Sequence, residues 1–353
     1  MTKRIFTPLI ILTWFAIIPA NADESPVELK IDFRYRYEFI DDDSKDSSQR
    51  RNRIRSRLGL IGTVGEQLKI NLRFATAEKN PTGANQDLGH DFSLKDIGLD
   101  QFYFDYSISD NASLQGGKVK NPYFKANKSE LIFDRDYNPE GLALQFNKGI
   151  VFGSIGVFSM DEHESVDNIS ITGFQLGLSN KTSTGTQYKI ALARYSFDDI
   201  HGRPASEITW NGKLFGNPID ASGNYLNNYT LSNFSAEINT NIGAQEIPAI
   251  FFIDWVNNTE ADSDDSGYQV GLKLSLVDSW NVTYFYQDLE ENAVFGALTS
   301  SNFGGGGAGH KGHAIKLNYE FSKNLSAEFT FFDNDKNMTT DYTRIFLDLK
   351  YKY

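Results

Sequence analysis

Arg53, Arg55 and Arg57 stand at every second position of "RNRIRSRLGL", and Arg34 and Arg36 repeat that spacing in "DFRYRYEF". Lys69 and Arg73 follow in a third short stretch. In extended strands, side chains two apart share one face. The guanidinium groups then stack along one wall, where they repel each other unless hydrated or faced by acids. The chemistry open to such a row is electrostatic: it orients dipolar solutes and sorts ions.

Residues for bond-making chemistry are scarce. The five histidines (His90, His163, His201, His310 and His313) fall mostly in predicted loops, and neither a G-x-S-x-G elbow nor an H-E-x-x-H zinc pair occurs. "FGGGGAGHKG" lacks the G-K-[ST] ending and a following helix, so it reads as a flexible loop. The chain has no cysteine, which removes disulfides, thiolate ligands and cysteine nucleophiles together. The acidic runs "DDDSKD" (41–46) and "EADSDD" (260–265) do not follow EF-hand spacing. They read as solvated acidic loops, and no metal site is assigned to them. No catalytic residue, metal, cofactor or nucleic-acid partner is assigned.

The elements that carry the basic rows are strands. "VELKIDFRYRYEF" (27–39) alternates without a slip, with Val27, Leu29, Ile31, Phe33, Tyr35, Tyr37 and Phe39 on one face and six charges on the other. Period 2 marks a strand with one wet side. In a soluble β-protein that side is bulk water, and in an outer-membrane barrel it is the lumen.

Residues 1–22 read as a secretory signal peptide: Lys3 and Arg4 precede an apolar run that ends in Pro19 and Ala20-Asn21-Ala22. The mature chain, 23–353, shows no linker or composition shift and reads as one β-domain. Without the leader's two basic residues it holds 32 basic and 46 acidic side chains, a formal charge of −14. No other stretch is long and apolar enough for a spanning helix, so any membrane crossing falls to strands.

Sixteen strands are predicted, near 27–40, 51–62, 68–77, 99–108, 112–119, 141–147, 150–159, 170–179, 186–196, 229–240, 247–257, 267–277, 280–289, 313–322, 325–334 and 342–353. "IVFGSIGVFSM" and "IPAIFFIDWVNN" are apolar on both faces, and "TQYKIALARYSF" loses parity near its end. Tight turns alternate with the long polar segments 78–98, 120–140, 197–228 and 290–312, as periplasmic turns and extracellular loops do in a transmembrane barrel. A lipid-facing Arg or Lys costs roughly 2–4 kcal/mol at the midplane, so the charges of the first strand must face the lumen. Eight strands close on their own side chains, whereas sixteen leave an aqueous channel. Phe39, Tyr106, Trp255, Trp280 and Tyr353 are candidates for interfacial girdles.

"NPTGANQDLG" (80–89), "LDQFYFDY" (99–106), "GGKVKNPYF" (116–124) and "FDRDYNPEGL" (133–142) resemble the motifs of the bacterial putative-porin family. The resemblance implies an outer-membrane β-barrel of a Gram-negative bacterium, related to general and phosphate-selective porins. The closing "RIFLDLKYKY" likewise resembles the terminal assembly strand of such proteins. In general porins the loop after the fifth strand folds into the lumen with its acids against a basic wall. The resemblance therefore implies an eyelet of Glu130, Asp134 and Asp136 facing Arg34, Arg36, Arg53, Arg55, Arg57, Lys69 and Arg73. It implies, too, a homotrimer seated among outer-membrane lipids and lipopolysaccharide.

The expected function is passive diffusion of small hydrophilic solutes or ions. The competing readings are an outer-membrane hydrolase built from a few side chains on the barrel wall, and a plugged barrel that binds partners or serves as structure. A soluble exported β-protein is the structural alternative.

Overall fold

The computed structural model describes residues 27–77, 79–89, 94–161, 169–276 and 279–353. The expected signal peptide lies outside the described residues. Strands β1 (Val27–Asp42), β2 (Gln49–Val64), β3 (Leu68–Thr76), β4 (Gln86–Leu88), β5 (Ile97–Ser109), β6 (Ala112–Lys118), β7 (Glu140–Lys148), β8 (Val151–Asp161) and β9 (Ile169–Lys181) form the first half. The second half holds β10 (Gln187–Phe197), β11 (Tyr229–Ile242), β12 (Ile247–Asn258), β13 (Ser266–Ser275), β14 (Trp280–Leu289), β15 (His310–Glu320), β16 (Leu325–Lys336) and β17 (Thr340–Lys352).

Apart from β4, each strand pairs antiparallel with the strands before and after it, β3 pairing directly with β5, and β1 pairs with β17 from Asp32↔Lys352 to Asp42↔Tyr342, which closes the sheet. The result is a sixteen-stranded antiparallel barrel with one extra strand, β4, which borders β2 beyond the end of β3. Every strand expected from the alternation is present; β4 was not foreseen, because three residues carry no period. Closure leaves no free edge to aggregate.

The alternation sets the two faces as the pleat requires. On β1, Phe33 and Tyr35 are exposed outward, while Arg34, Arg36 and Glu38 are buried inward at 8%, 4% and 0% exposure. Outward side chains on the other strands are likewise apolar, among them Leu60, Phe102, Leu176, Leu192, Val270 and Leu347.

Short turns such as 65–67, 110–111, 149–150 and 321–324 lie at one end, together with Val27 and Tyr353. The long connections 77–96, 119–139, 198–228 and 290–309 lie at the other. Three of them do not stay outside as solvated coil. A buried apolar cluster joins Tyr123, Leu131 and Phe133 of 119–139, Ile200 and Tyr225 of 198–228, and Val294, Phe295 and Leu298 of 290–309. The same cluster takes in inward residues of the wall, including Phe158, Ile171, Tyr195, Leu231 and Val256.

This inner core explains the strands with weak patterns. Toward the long-loop end the inward side chains Phe158 and Met160 of β8 and Val256 of β12 meet packed loops, so apolar residues stand on the inward face there as well. On β10, Ala191, Ala193, Tyr195 and Phe197 keep strict parity as the buried set; the apparent slip came from expecting polar residues inside. The glycine-rich stretch 303–312 is also not a loose loop: Phe303, Ala308 and His310 are buried.

Candidate functional site

The inward faces of β1, β2 and β17 meet as one sheet of paired charges. Arg36 grips Asp348 with two bonds, Nε to Oδ1 at 2.6 Å and Nη2 to Oδ2 at 2.7 Å. Its guanidinium lies 3.5 Å from the centre of the Phe346 ring. Arg34 reaches Asp348 at 3.8 Å and also donates to the Asn85 side chain. Glu38 accepts from Arg344, Arg51 (2.9 Å) and Arg53 (3.4 Å). Arg53 is shared with Asp87, at 2.6 Å, and Arg55 pairs with Asp32 at 2.7 Å.

The segment 119–139 crosses toward this wall because its far side is tied down. Tyr123 lies edge-on against Tyr195, 4.8 Å between ring centres. The side-chain amide of Gln175 on β9 accepts from Phe124 N (2.7 Å) and donates to Phe124 O (2.9 Å). At the tip, Asn127 N donates to Glu237 of β11 at 2.8 Å. The segment then returns along 290–309, where Asp134 N donates to Leu298 O at 2.7 Å.

The three acids expected to oppose the arginines separate. Asp136 meets Arg57 at 2.7 Å and Arg55 at 3.9 Å. Asp134 instead accepts Ser301 N at 2.9 Å, and Glu130 pairs with Arg135 of its own segment at 3.2 Å. Burial acts to raise the Asp136 carboxyl, but the guanidiniums of Arg57 and Arg55 outweigh it and hold the group well below the usual carboxylate range. Asp134 has no such partner among the described residues: burial, then the charges of Glu130 and Asp136, push it up to about 8.

A further acid was missed. A register shift between Arg73 and Phe74, whose partners are Gln101 and Leu99, turns the skipped Asp100 inward beside Gln101. Asp100 meets Arg73 at 2.6 Å and Arg57 at 3.5 Å. Asn138 donates to Asp100 at 2.7 Å and accepts from Gln101 at 2.7 Å, which ties the segment to the wall. Period 2 forbids two successive inward residues, so only a bulge allows this set. Lys69 stands apart, exposed near the short-turn end opposite Asp105.

Open space lies on both sides of this meeting point. A cavity of about 1220 Å³ on the long-loop side is lined by Asp100, Asp136 and Asn138, with Glu207 and Trp210 across from them. One of about 950 Å³ on the short-turn side is lined by Arg57, Arg73, Arg135 and again Asn138.

The profile of the family described as putative porin matches residues 18–225 and 218–353. The chain belongs to that family. No curated protein matches it in sequence. Among solved structures it is similar to Pseudomonas putida OprB, with a TM-score of 0.60 and 11% identity over 93% of this chain and 94% of that one. Salmonella typhi OmpF in complex with daunomycin aligns at 0.58, with 10% identity and coverage of 93% and 97%. A triple mutant of the Rhodopseudomonas blastica porin aligns at 0.55, with 10% identity and coverage of 93% and 100%. The chain is a channel-forming porin of the Gram-negative outer membrane, with periplasmic turns and extracellular loops, and its family and fold are those of a channel.

In this porin the arginines of β1 and β2 stand on one inward wall among counter-charges that, apart from Asp136, were not among the expected site residues. Asp32, Glu38 and Asp348 sat at the same alternate positions as the arginines, so the signal was present. Asp87 on β4 and Asp100 at the bulge carried none.

Proposed function

We propose that this porin passes small hydrophilic solutes by passive diffusion through a constriction formed by Asp136 against Arg55 and Arg57, with Asp100, Arg73 and Asn138 beside them. One observation carries the reading: Asn138 lines both the extracellular and the periplasmic cavity. Arg34, Arg36 and Arg53 build the charged wall above that point, whereas Glu130 and Asp134 fix the inserted loop. No chemical step is assigned to the barrel. Its lateral surroundings are outer-membrane lipid and lipopolysaccharide, and its assembly a homotrimer, a reading supported by the family and the strand number.

The wall is close to electroneutral. Arg34, Arg36, Arg51, Arg53, Arg55, Arg57, Arg73 and Arg344 face Asp32, Glu38, Asp87, Asp100, Asp136 and Asp348, eight charges against six. Stripping arginines alone would leave buried carboxylates unpaired, at about 3–5 kcal/mol for each broken pair. The cleaner variant removes one pair together, Arg57→Ser with Asp136→Ser. Single-channel conductance in a planar bilayer is expected to rise while ion preference stays near that of the native protein. An unchanged conductance would place the narrowest point elsewhere.

A further inference from the structure

The periplasmic cavity is far from neutral. Eight of its lining residues are Lys or Arg and one, Asp110 on a turn at the rim, is a carboxylate. Most of the eight are occupied. Arg57 and Arg73 hold Asp136 and Asp100. Arg135 holds Glu130. Lys125 donates to Phe133 O at 2.9 Å, and the Lys189 ammonium lies 4.3 Å from the centre of the Phe124 ring. Lys120, Lys128 and Lys352 remain outside the ion pairs of the described residues, and Asp32, in register opposite Lys352, is held by Arg55 at 2.7 Å.

Lys128 is held there at a conformational cost. Asn127 and Lys128 have φ of 44° and 61°, two successive non-glycine residues in left-handed backbone at the tip of the inserted loop. The Asn127 bond to Glu237 fixes that tip. Burial, then the neighbouring charges of Arg135, Lys352, Lys273 and Lys120, lowers the Lys128 pKa. Like charges gathered around a confined aqueous space and left unpaired raise the local concentration of counter-ions.

We propose that Lys120, Lys128 and Lys352, with Arg135 behind them, form an anion-binding vestibule on the periplasmic side of the constriction, which takes small oxyanions of two or more charges and makes the channel anion-preferring. The proposal rests on the diffusion-channel reading above and adds the substrate class to it. The arginine wall does not supply the preference, since its charge is largely cancelled by its own acids.

The test uses the full mature chain, refolded in detergent, with its fold checked by heat-modifiability and inserted in a planar bilayer under a potassium chloride gradient. The native reversal potential should have the sign of chloride preference. Millimolar sulfate or succinate should lower the chloride conductance several-fold. Lys120→Glu with Lys128→Glu, both on exposed loop positions, should reverse the ion preference and abolish that block. The milder Lys120→Gln with Lys128→Gln should weaken both. Cation preference in the native channel, block by neither anion, or an anion preference untouched by the glutamate variant would each overturn the vestibule alone. A folded native protein that passes no current would overturn the diffusion reading beneath it.

Discussion

Asp134 shows how a single carboxyl reports the docking of the inserted loop. Its two oxygens accept Asp136 N at 2.8 Å and Ser301 N at 2.9 Å, inside the seam between two loops. Burial and the charges of Glu130 and Asp136 raise its pKa to about 8. The unfolded chain releases that proton near the ordinary Asp value of about 3.9. Between these two pH values the folded protein holds the extra proton, so this contribution to stability is full below about 4 and falls as pH rises toward 8. Denaturant unfolding of the detergent-solubilised barrel should therefore show native stability declining across that window, and Asp134→Asn, which cannot ionise, should remove that part of the slope. Parallel pH slopes for the two proteins would show that Asp134 enters the seam already charged. The arginine rows were legible from their spacing alone, because strand geometry dictates where i and i+2 point. The bonds of Glu130 to Ser300 and of Asp134 to Ser301 were not, since they depend on a seam with residues some 170 positions later.

The inserted loop is an element in its own right, and two glycines of the wall make room for it. A Cβ on Gly173 of β9 would collide with the Tyr123 hydroxyl, and one on Gly156 of β8 would press on the same group. Tyr123 in turn carries the ring stack that places Phe133 between Tyr137 and Tyr195, at 5.8 Å and 5.2 Å. Gly173→Val should thus push 119–139 away from its anchor while the strand itself, which favours a branched residue, still forms. The expected outcome is a barrel that folds with a loss of about 1–3 kcal/mol and conducts more, with more frequent current fluctuations. A native-like conductance and noise level would mean that the loop is held by its other contacts. Strand positions were readable to within a few residues, because lipid and lumen impose period 2 on each crossing. What lay hidden was the filled half of the lumen: with loops packed inside, β8, β10 and β12 turn apolar side chains inward, and the period gives no sign of what they meet.

Across the whole molecule the charges separate by end. The extracellular stretches 41–46, 198–228, 259–265 and 290–309 hold fourteen acidic residues and three basic ones. The periplasmic cavity holds the excess of lysine and arginine described above. A pore with a negative outer mouth and a positive inner vestibule conducts unequally in the two directions. With the extracellular side positive, cations enter through the acidic zone and anions through the basic zone, so both carriers accumulate at the constriction. With the polarity reversed, each ion must first cross the zone that repels it, and the middle is depleted. Screening limits the effect: fixed charges act over about 10 Å at 0.1 M salt and about 3 Å at 1 M. Oriented single channels should accordingly pass more current when the extracellular side is positive, with the asymmetry clear at 0.1 M potassium chloride and nearly absent at 1 M. Neutralising the rim with Glu260→Gln, Asp262→Asn, Asp264→Asn and Asp265→Asn should reduce the asymmetry while leaving the anion preference of the vestibule in place. A symmetric current at 0.1 M would show that the acidic loops stand too far from the ion path to act on it, and selectivity would then belong to the constriction and vestibule alone.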